Sequence, residues 1–242
     1  LGGVRRHPLL FLIVYDIIFG GDAMKYYEAY DERYKTIHGM GKSWASDVPT
    51  PTVGEIAVRC GIKRTDKILD AGCGEGRDAL SLLCDGFCVD AVDISPEAID
   101  YCRKKAPQYA ERFRVFDCLA GEHAGKYDFV YSVAVIHMLT EDADRHAFFD
   151  FVKNSLTSSG RALVCSMGDG RTEHISDPRR AFDIAERTHD GEKVRVAETS
   201  CRIASFETLE AEIRASGLSV IEKGITSSPP EFSEMLYFVL GL

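Results

Sequence analysis

Two patterns of apolar and polar residues alternate along most of the chain. Short apolar runs are separated by stretches in which apolar residues recur at helical spacing. The first pattern is typical of strands buried on both faces, and the second is typical of helices that cover a sheet. Seven strands are therefore predicted, over residues 67–72, 87–95, 113–117, 127–135, 161–167, 218–225 and 234–242.

Helices are predicted between most of these strands. Ser95 is a typical N-cap, and Pro96 occupies the first turn of the helix that follows it. The other predicted helices cover residues 24–38, 51–61, 76–86, 140–160, 177–188 and 205–217. Alternating strands and helices predict an α/β, doubly wound, seven-stranded and mostly parallel sheet. Because no helix joins the last two strands, the last strand is predicted to be antiparallel.

The domain organisation is inferred from the part of the chain in which predicted strands and helices alternate. Residues 24–242 are predicted to form a single domain, with an N-terminal lid (residues 24–62) and a polar insertion (residues 168–205) at the acceptor side. Residues 1–23 contain two arginines ahead of an apolar run that is interrupted by Asp16 and is too short to span a bilayer. We expect a non-native or disordered extension before Met24, with a weak signal peptide as the alternative.

Composition excludes several classes of protein. The net charge of −9 repels phosphate backbones, so no nucleic-acid partner is expected. The eight cysteines form no C-x-x-C pair, which argues against a zinc or redox motif, and no metal site is expected. Cysteines scattered in predicted strands and helices are typical of a reducing compartment, so a cytoplasmic protein without membrane attachment is expected.

The sequence DAGCGEG, which we call the glycine loop (residues 70–76), joins the first strand to a helix. Glycines at this place let the backbone approach a ligand closely. The dinucleotide fingerprint G-x-G-x-x-G requires a third glycine where this chain has Arg77, and no G-K-[ST] follows as in a phosphate-binding P-loop. Binding of a nicotinamide cofactor is therefore disfavoured.

The glycine loop resembles the D-x-G-x-G-x-G motif of the class I S-adenosylmethionine-dependent methyltransferases, and Gly-Glu-Gly-Arg is similar to their small-molecule branch. Asp93 lies 21 positions after Gly72, where that family binds the ribose hydroxyls, and Ile94 follows it to cover the adenine. Asp117 ends the third strand, where the family binds the adenine amino group, and His137 follows the fourth, near the transferred methyl. The resemblance implies a Rossmann-like methyltransferase fold.

The resemblance implies S-adenosylmethionine as cofactor and a small-molecule acceptor. Arg77 is expected to bind the cofactor carboxylate, whereas Trp44 and the tyrosines before it are expected to cover the sulfonium in the lid. His137 is the candidate catalytic residue, although an in-line methyl transfer needs a base only if the acceptor arrives protonated. The implied cofactor contacts are Asp70, Gly72, Cys73, Gly74, Gly76, Arg77, Asp93, Ile94, Asp117, Cys118, Ser132, Val133 and Trp44.

Five of the candidate site residues also have a purely structural interpretation. Asp93 and Asp117 are suited to turns at strand ends, and Arg77 to an exposed helix face. Trp44 and His137 are compatible with the core. The predicted function is methyl transfer, with a catalytically inactive cofactor-binding regulator, or less favourably a nicotinamide-dependent oxidoreductase, as the alternatives. Neither the acceptor, nor its reacting atom, nor the oligomeric state follows from the sequence.

Overall fold

The structure is a computed structural model that describes residues 25–121 and 125–242. The expectation for residues 1–23 lies outside these residues. The strands are β1 (Lys67–Ala71), β2 (Cys88–Asp93), β3 (Phe113–Val115), β4 (Tyr127–Val133), β5 (Leu156–Met167), β6 (His174–Ile175), β7 (Ile184–His189), β8 (Glu192–Ala197), β9 (Arg202–Ile203), β10 (Ser219–Thr226) and β11 (Met235–Gly241).

Seven of these strands form one sheet, in the order β10-β11-β5-β4-β1-β2-β3. Strand β11 is antiparallel to both of its neighbours, whereas the pairs around β1 are parallel. Strand β1 is central and buried at Ile68 through Ala71, as the apolar run predicts. The predicted fold class is therefore confirmed.

Helices cover both faces of the sheet. The α-helices are α1 (Ala29–Gly39), α2 (Pro51–Arg59), α3 (Arg77–Cys84), α4 (Pro96–Lys105), α5 (Asp142–Ser155) and α6 (Phe206–Ala215). Helices α2, α3 and α4 pack through Ile56, Leu82 and Ile99 on one face, and α5 and α6 pack through Phe148 and Leu209 on the other. This leaves the ends of the strands free to build a site.

The helix predicted over residues 177–188 is wrong. A short 3-10 turn covers Pro178–Arg180, and β7 then pairs with β8 as an antiparallel hairpin. The two residues between the strands, Asp190 and Gly191, both have positive φ. An Asp-Gly pair between two runs of this length is a strong hairpin signal, which outweighs the helical spacing of the few apolar residues before it.

The helix predicted over residues 140–160 is also too long. Helix α5 ends at Ser155, and β5 begins at once with Leu156. A Cβ on Gly160 would lie 2.9 Å from the carbonyl oxygen of Tyr127, so the backbones of β4 and β5 approach closely there. Glycine and the preceding Thr-Ser-Ser are poor helix formers, which favours the longer strand.

Two observations bear on the expectations from composition. All eight cysteines are free thiols, but only Cys102 and Cys165 are fully buried, and Cys84 is exposed. In the described part of the chain, no helix has both the length and the apolar character needed to cross a membrane.

Candidate functional site

A cavity opens at the carboxyl ends of β1, β2, β3 and β4, with about 1280 Å³ of empty space including its open mouth. Ligands bind at this edge in open α/β sheets because loops of neighbouring strands meet there. The lining residues are Tyr27, Tyr30, Tyr34, Trp44, Ala45, Asp70, Gly72, Cys73, Gly74, Glu75, Gly76, Arg77, Asp78, Asp93, Ile94, Phe116, Asp117, Cys118, Leu119, Val133, Ala134, Val135, Met138, Leu139, Phe148, Glu231 and Phe232.

The glycine loop forms the floor of this cavity, and each of its glycines has a reason of its own. All three have positive φ, between 52° and 82°. A Cβ on Gly72 would collide with Val135, one on Gly74 would lie 2.8 Å from the Tyr34 hydroxyl, and one on Gly76 would lie 2.8 Å from Cys102 Sγ. The loop therefore needs glycine both for its backbone conformation and for the close approach of its neighbours.

Asp93 is held in place by the backbone around it. Its Oδ2 accepts a hydrogen bond from the Gly74 N–H at 2.8 Å, and its Oδ1 accepts one from the Ser95 N–H at 2.9 Å. Burial raises the pKa of this carboxyl. The carboxylate is thus fixed against the glycine loop at the end of β2, with lone pairs available for hydroxyl donors in the cavity.

The wall beyond Asp93 is largely apolar. Ile94, Phe116 and Leu119 line it, and Asp117 adds a carboxylate. Asp117 Oδ1 accepts the Leu119 N–H at 2.8 Å, while its Oδ2 lies 2.7 Å from the Lys25 ammonium. An apolar wall with one polar group at its edge suits an aromatic base.

Arg77 lies at the opposite end, in the first turn of α3. Its guanidinium forms an ion pair with Glu231 and lies 3.8 Å from Asp78 Oδ2. Asp78 accepts two hydrogen bonds from Thr50, and burial raises its pKa. The Arg77 guanidinium therefore lines the cavity, but in this structure its partner is the carboxylate of Glu231.

Asp70 lies beneath the loop, at the end of β1. The Tyr131 hydroxyl donates to Asp70 Oδ2 at 3.0 Å. Burial, together with the nearby charge of Asp78, raises the pKa of Asp70 well above its usual value. Asp70 is therefore a buried carboxyl that contributes to the site from below.

Aromatic residues of the N-terminal lid close the cavity from above. Tyr27, Tyr30, Tyr34 and Trp44 all line it. Tyr26, which the expectation also included, instead donates a hydrogen bond to Asp144 Oδ2 and does not line the cavity. The Arg33 guanidinium lies between Tyr30 and Trp44, 4.8 Å and 4.7 Å from their ring centroids. These stacked groups make the lid a packed unit rather than a loose loop.

The hairpin β7–β8 braces the outer side of the lid. Arg33 donates two hydrogen bonds to the Ala197 carbonyl, at 2.8 Å and 3.1 Å. His189 stacks on Trp44 at 5.2 Å and donates from Nε2 to the Ser43 carbonyl at 2.8 Å. No described residue of the insertion (168–205) lines the cavity itself. Its acceptor-side role stays a prediction, whereas its contact with the lid is observed.

Two of the predicted site residues lie behind the cavity wall. Ser132 is buried and donates to the Ala71 carbonyl at 2.7 Å. His137 is 5% exposed, accepts the Met167 N–H at Nδ1 at 3.5 Å, and meets the ring of Phe232, which does line the cavity. Burial and then the charge of Arg145 lower the pKa of His137 to about 4. Its catalytic role therefore stays a prediction.

Several lining residues were missed from the sequence. Glu75 was passed over as a variable position of the glycine motif, and Glu231 and Phe232 lie in the loop before β11, which carries no recognisable motif. Phe148 belongs to the apolar face of α5, and in the sequence such a residue indicates only core packing. The place of these residues in the site becomes evident only from the folded structure, in which the loops and helices around the sheet meet.

Comparison with known proteins adds a match to a family model. Residues 68–160 match the model described as a methyltransferase domain. This segment contains the glycine loop, Asp93, Asp117 and His137. No curated protein matches the chain.

Solved structures share the fold at low sequence identity. An S-adenosylmethionine-dependent methyltransferase from Clostridium acetobutylicum is 17% identical to this chain. The match covers 97% of this chain and 98% of that protein, with a TM-score of 0.60. The 1,6-didemethyltoxoflavin-N1-methyltransferase of Burkholderia thailandensis is 17% identical, with 99% and 92% covered and a TM-score of 0.63. The glycopeptide N-methyltransferase MtfA in complex with S-adenosylmethionine is 20% identical, with 82% and 95% covered and a TM-score of 0.62.

Proposed function

We propose that this chain, which carries a methyltransferase domain in residues 68–160, binds S-adenosylmethionine and transfers its methyl group to a small-molecule acceptor. The observation that carries the proposal is the glycine loop with positive φ at all three glycines and the Asp93 carboxylate held against it by the Gly74 N–H. This pairing puts close backbone approach and a fixed hydroxyl acceptor in one cavity.

The residues of the cavity fit the three parts of this cofactor. Asp93 suits the two ribose hydroxyls, and the apolar wall of Ile94, Phe116 and Leu119 suits the adenine. Arg77 suits the carboxylate of the amino-acid end, provided that the ligand displaces Glu231. The lid tyrosines present aromatic faces where a sulfonium would be favoured.

A small-molecule acceptor is supported by the shape and charge of the site. The lid lies across the cavity, and Met138, Leu139, Phe148 and Phe232 give the inner wall an apolar character. A concave cavity with an apolar inner wall suits a small organic molecule better than a polymer. The toxoflavin-precursor and glycopeptide methyltransferases that share this fold support the same class of acceptor.

In the proposed reaction, the residues of the cavity position the ligands and exclude water. The cofactor would supply the electrophilic methyl group; the chain holds its two ends and shields the space between them. With a pKa of about 4, His137 is a neutral imidazole above that pH and a weak base, and it lies behind the cavity wall. Proton removal by this histidine is therefore not part of the proposed reaction.

Calorimetry on Asp93 tests the cofactor. Asp93→Asn should weaken binding of S-adenosylhomocysteine by about 1–3 kcal/mol, because the hydroxyls lose a charged acceptor. Asp90→Asn, on the same strand but facing Arg112 and Tyr127, is the matched control and should bind as the wild type does. Equal affinity in both variants, or binding of NADH in place of S-adenosylhomocysteine, would contradict the proposal.

Turnover separates the enzyme from an inactive regulator. Wild-type protein is incubated with methyl-labelled S-adenosylmethionine and a metabolite extract, and Asp93→Asn serves as the control. Label in a small molecule that requires the wild-type protein is the expected result. Tight cofactor binding with no labelled product would favour the regulatory alternative.

A further inference from the structure

His38, at the end of α1 in the N-terminal lid, lies between two carboxylates. Its Nε2 is 2.7 Å from Glu75 Oε1, and its Nδ1 is 2.8 Å from Glu97 Oε1. The side chains of His38 and Glu75 are 9% and 4% exposed. The imidazole also stacks on Tyr101 at 4.5 Å and on Tyr34 at 5.8 Å. Each ring nitrogen of His38 therefore faces a carboxylate oxygen, one on each side of the ring.

Glu75 belongs to the glycine loop, but its carboxylate binds the lid. Besides His38, its Oε1 accepts the Trp44 N–H at 2.7 Å and its Oε2 accepts the Ala45 N–H at 2.7 Å. All three donors come from the lid. A buried carboxylate with three donors is strongly held, and charge-assisted bonds of this kind are stronger than neutral ones. The glycine loop and the lid therefore move apart only if these bonds break together.

Glu97 ties the same histidine to a second part of the site. It lies in the first turn of α4, two residues after Ser95, whose N–H holds Asp93. Asp31 of α1 adds to this contact, because its Oδ1 accepts both the Ser95 hydroxyl at 2.6 Å and the Glu97 N–H at 3.1 Å. The lid is thus fastened to the loops after β1 and β2, which are the two loops that hold the proposed cofactor.

We propose that His38 is a positioning residue that latches the lid onto the glycine loop, so that a bound ligand leaves the cavity more slowly while the contacts of His38 with Glu75 and Glu97 are in place. The identity of the ligand rests on the proposed function, whereas the latch itself does not. Trp44 reports on it directly, because it is the only tryptophan of the chain and its own N–H is bound to Glu75.

The first experiment uses the ligand-free protein. Quenching of Trp44 fluorescence by acrylamide is measured in the wild type, His38→Asn and Glu75→Gln, with His146→Asn, an exposed histidine on α5, as the matched control. The latch predicts at least a twofold larger quenching constant in the first two variants and no change in the control. Unchanged quenching in His38→Asn would overturn the proposal. If either variant fails to fold, Glu97→Gln, which alters only the outer carboxylate, replaces it with the same expectation.

The second experiment measures ligand release. Dissociation of S-adenosylhomocysteine is followed through Trp44 fluorescence in a stopped-flow instrument, and it should be on the order of tenfold faster in His38→Asn than in the wild type. In a separate measurement on the unliganded protein, the control His146→Asn should keep the wild-type thermal midpoint. A wild-type release rate in His38→Asn would overturn the latch. If the wild type does not bind S-adenosylhomocysteine at all, the proposed function fails, and the quenching result still decides the latch.

Discussion

The buried His137 predicts a specific dependence of stability on pH. Its pKa is lowered from the ordinary value of 6.5 to about 4, first by burial and then by the charge of Arg145. In the unfolded chain the imidazole takes up a proton as the pH falls below 6.5, whereas the folded protein resists that proton until the pH approaches 4. Lowering the pH through this window therefore favours the unfolded state.

The size of the effect follows from the two values. The difference between 6.5 and about 4, at ~1.36 kcal/mol for each pKa unit, amounts to about 3 kcal/mol. This is a large fraction of the ~5–15 kcal/mol by which a folded domain is usually stable. The full loss is reached near pH 4, and it is absent above pH 6.5.

The assay compares the wild type with His137→Gln, whose amide can still accept the Met167 N–H. Free energies of unfolding from urea titrations are measured at intervals from pH 8 to pH 4. Because carboxyl groups titrate in both proteins, only the difference between the two curves belongs to His137. We expect the wild type to lose about 3 kcal/mol relative to the variant between pH 6.5 and pH 4. A constant difference over that range would refute a buried, neutral His137.

The remaining predictions concern the glycine loop and its helix. Arg77→Gln should weaken binding of S-adenosylhomocysteine by about 1–3 kcal/mol in calorimetry and leave 5′-methylthioadenosine, which lacks the amino-acid end, unaffected; equal losses for both ligands would contradict a contact with the carboxylate. Gly74→Ala should lower the thermal midpoint, because its Cβ would lie 2.8 Å from the Tyr34 hydroxyl at a φ of 52°. Adding Tyr34→Phe should recover part of that loss, and a double variant no more stable than Gly74→Ala would contradict this steric explanation.

The sheet could be predicted from the sequence because its signals are local. Apolar runs such as residues 67–72 and 127–135 specify buried strands by themselves, and Ser95 caps its helix as expected, with Oγ accepting the Ala98 N–H at 3.0 Å. The residues that form the floor of the site could be predicted for the same reason. The glycine loop and Asp93 occupy fixed positions relative to the strands that carry them.

The contacts that hold the lid in place could not be predicted in the same way. The hairpin β7–β8 was missed although Asp190 and Gly191 carry a turn signal, because sparse apolar residues before them also fit helical spacing. Glu75 and His38 are separated by 37 positions, and nothing in either local sequence indicates that they meet. Contacts of this kind depend on tertiary packing, which a periodic pattern does not encode.

The hairpin that braces the lid is synthesised much later than the lid itself. Arg33 donates to the Ala197 carbonyl, 164 positions later, so the lid leaves the ribosome long before its brace exists. At ~5–20 residues per second, this interval is on the order of 10 to 30 s. Strands β1 to β4 are complete by Val133, well within it. A nascent chain can therefore form the floor of the site, and the contacts of the lid with Glu75 and Glu97, before the hairpin that braces the lid has been synthesised.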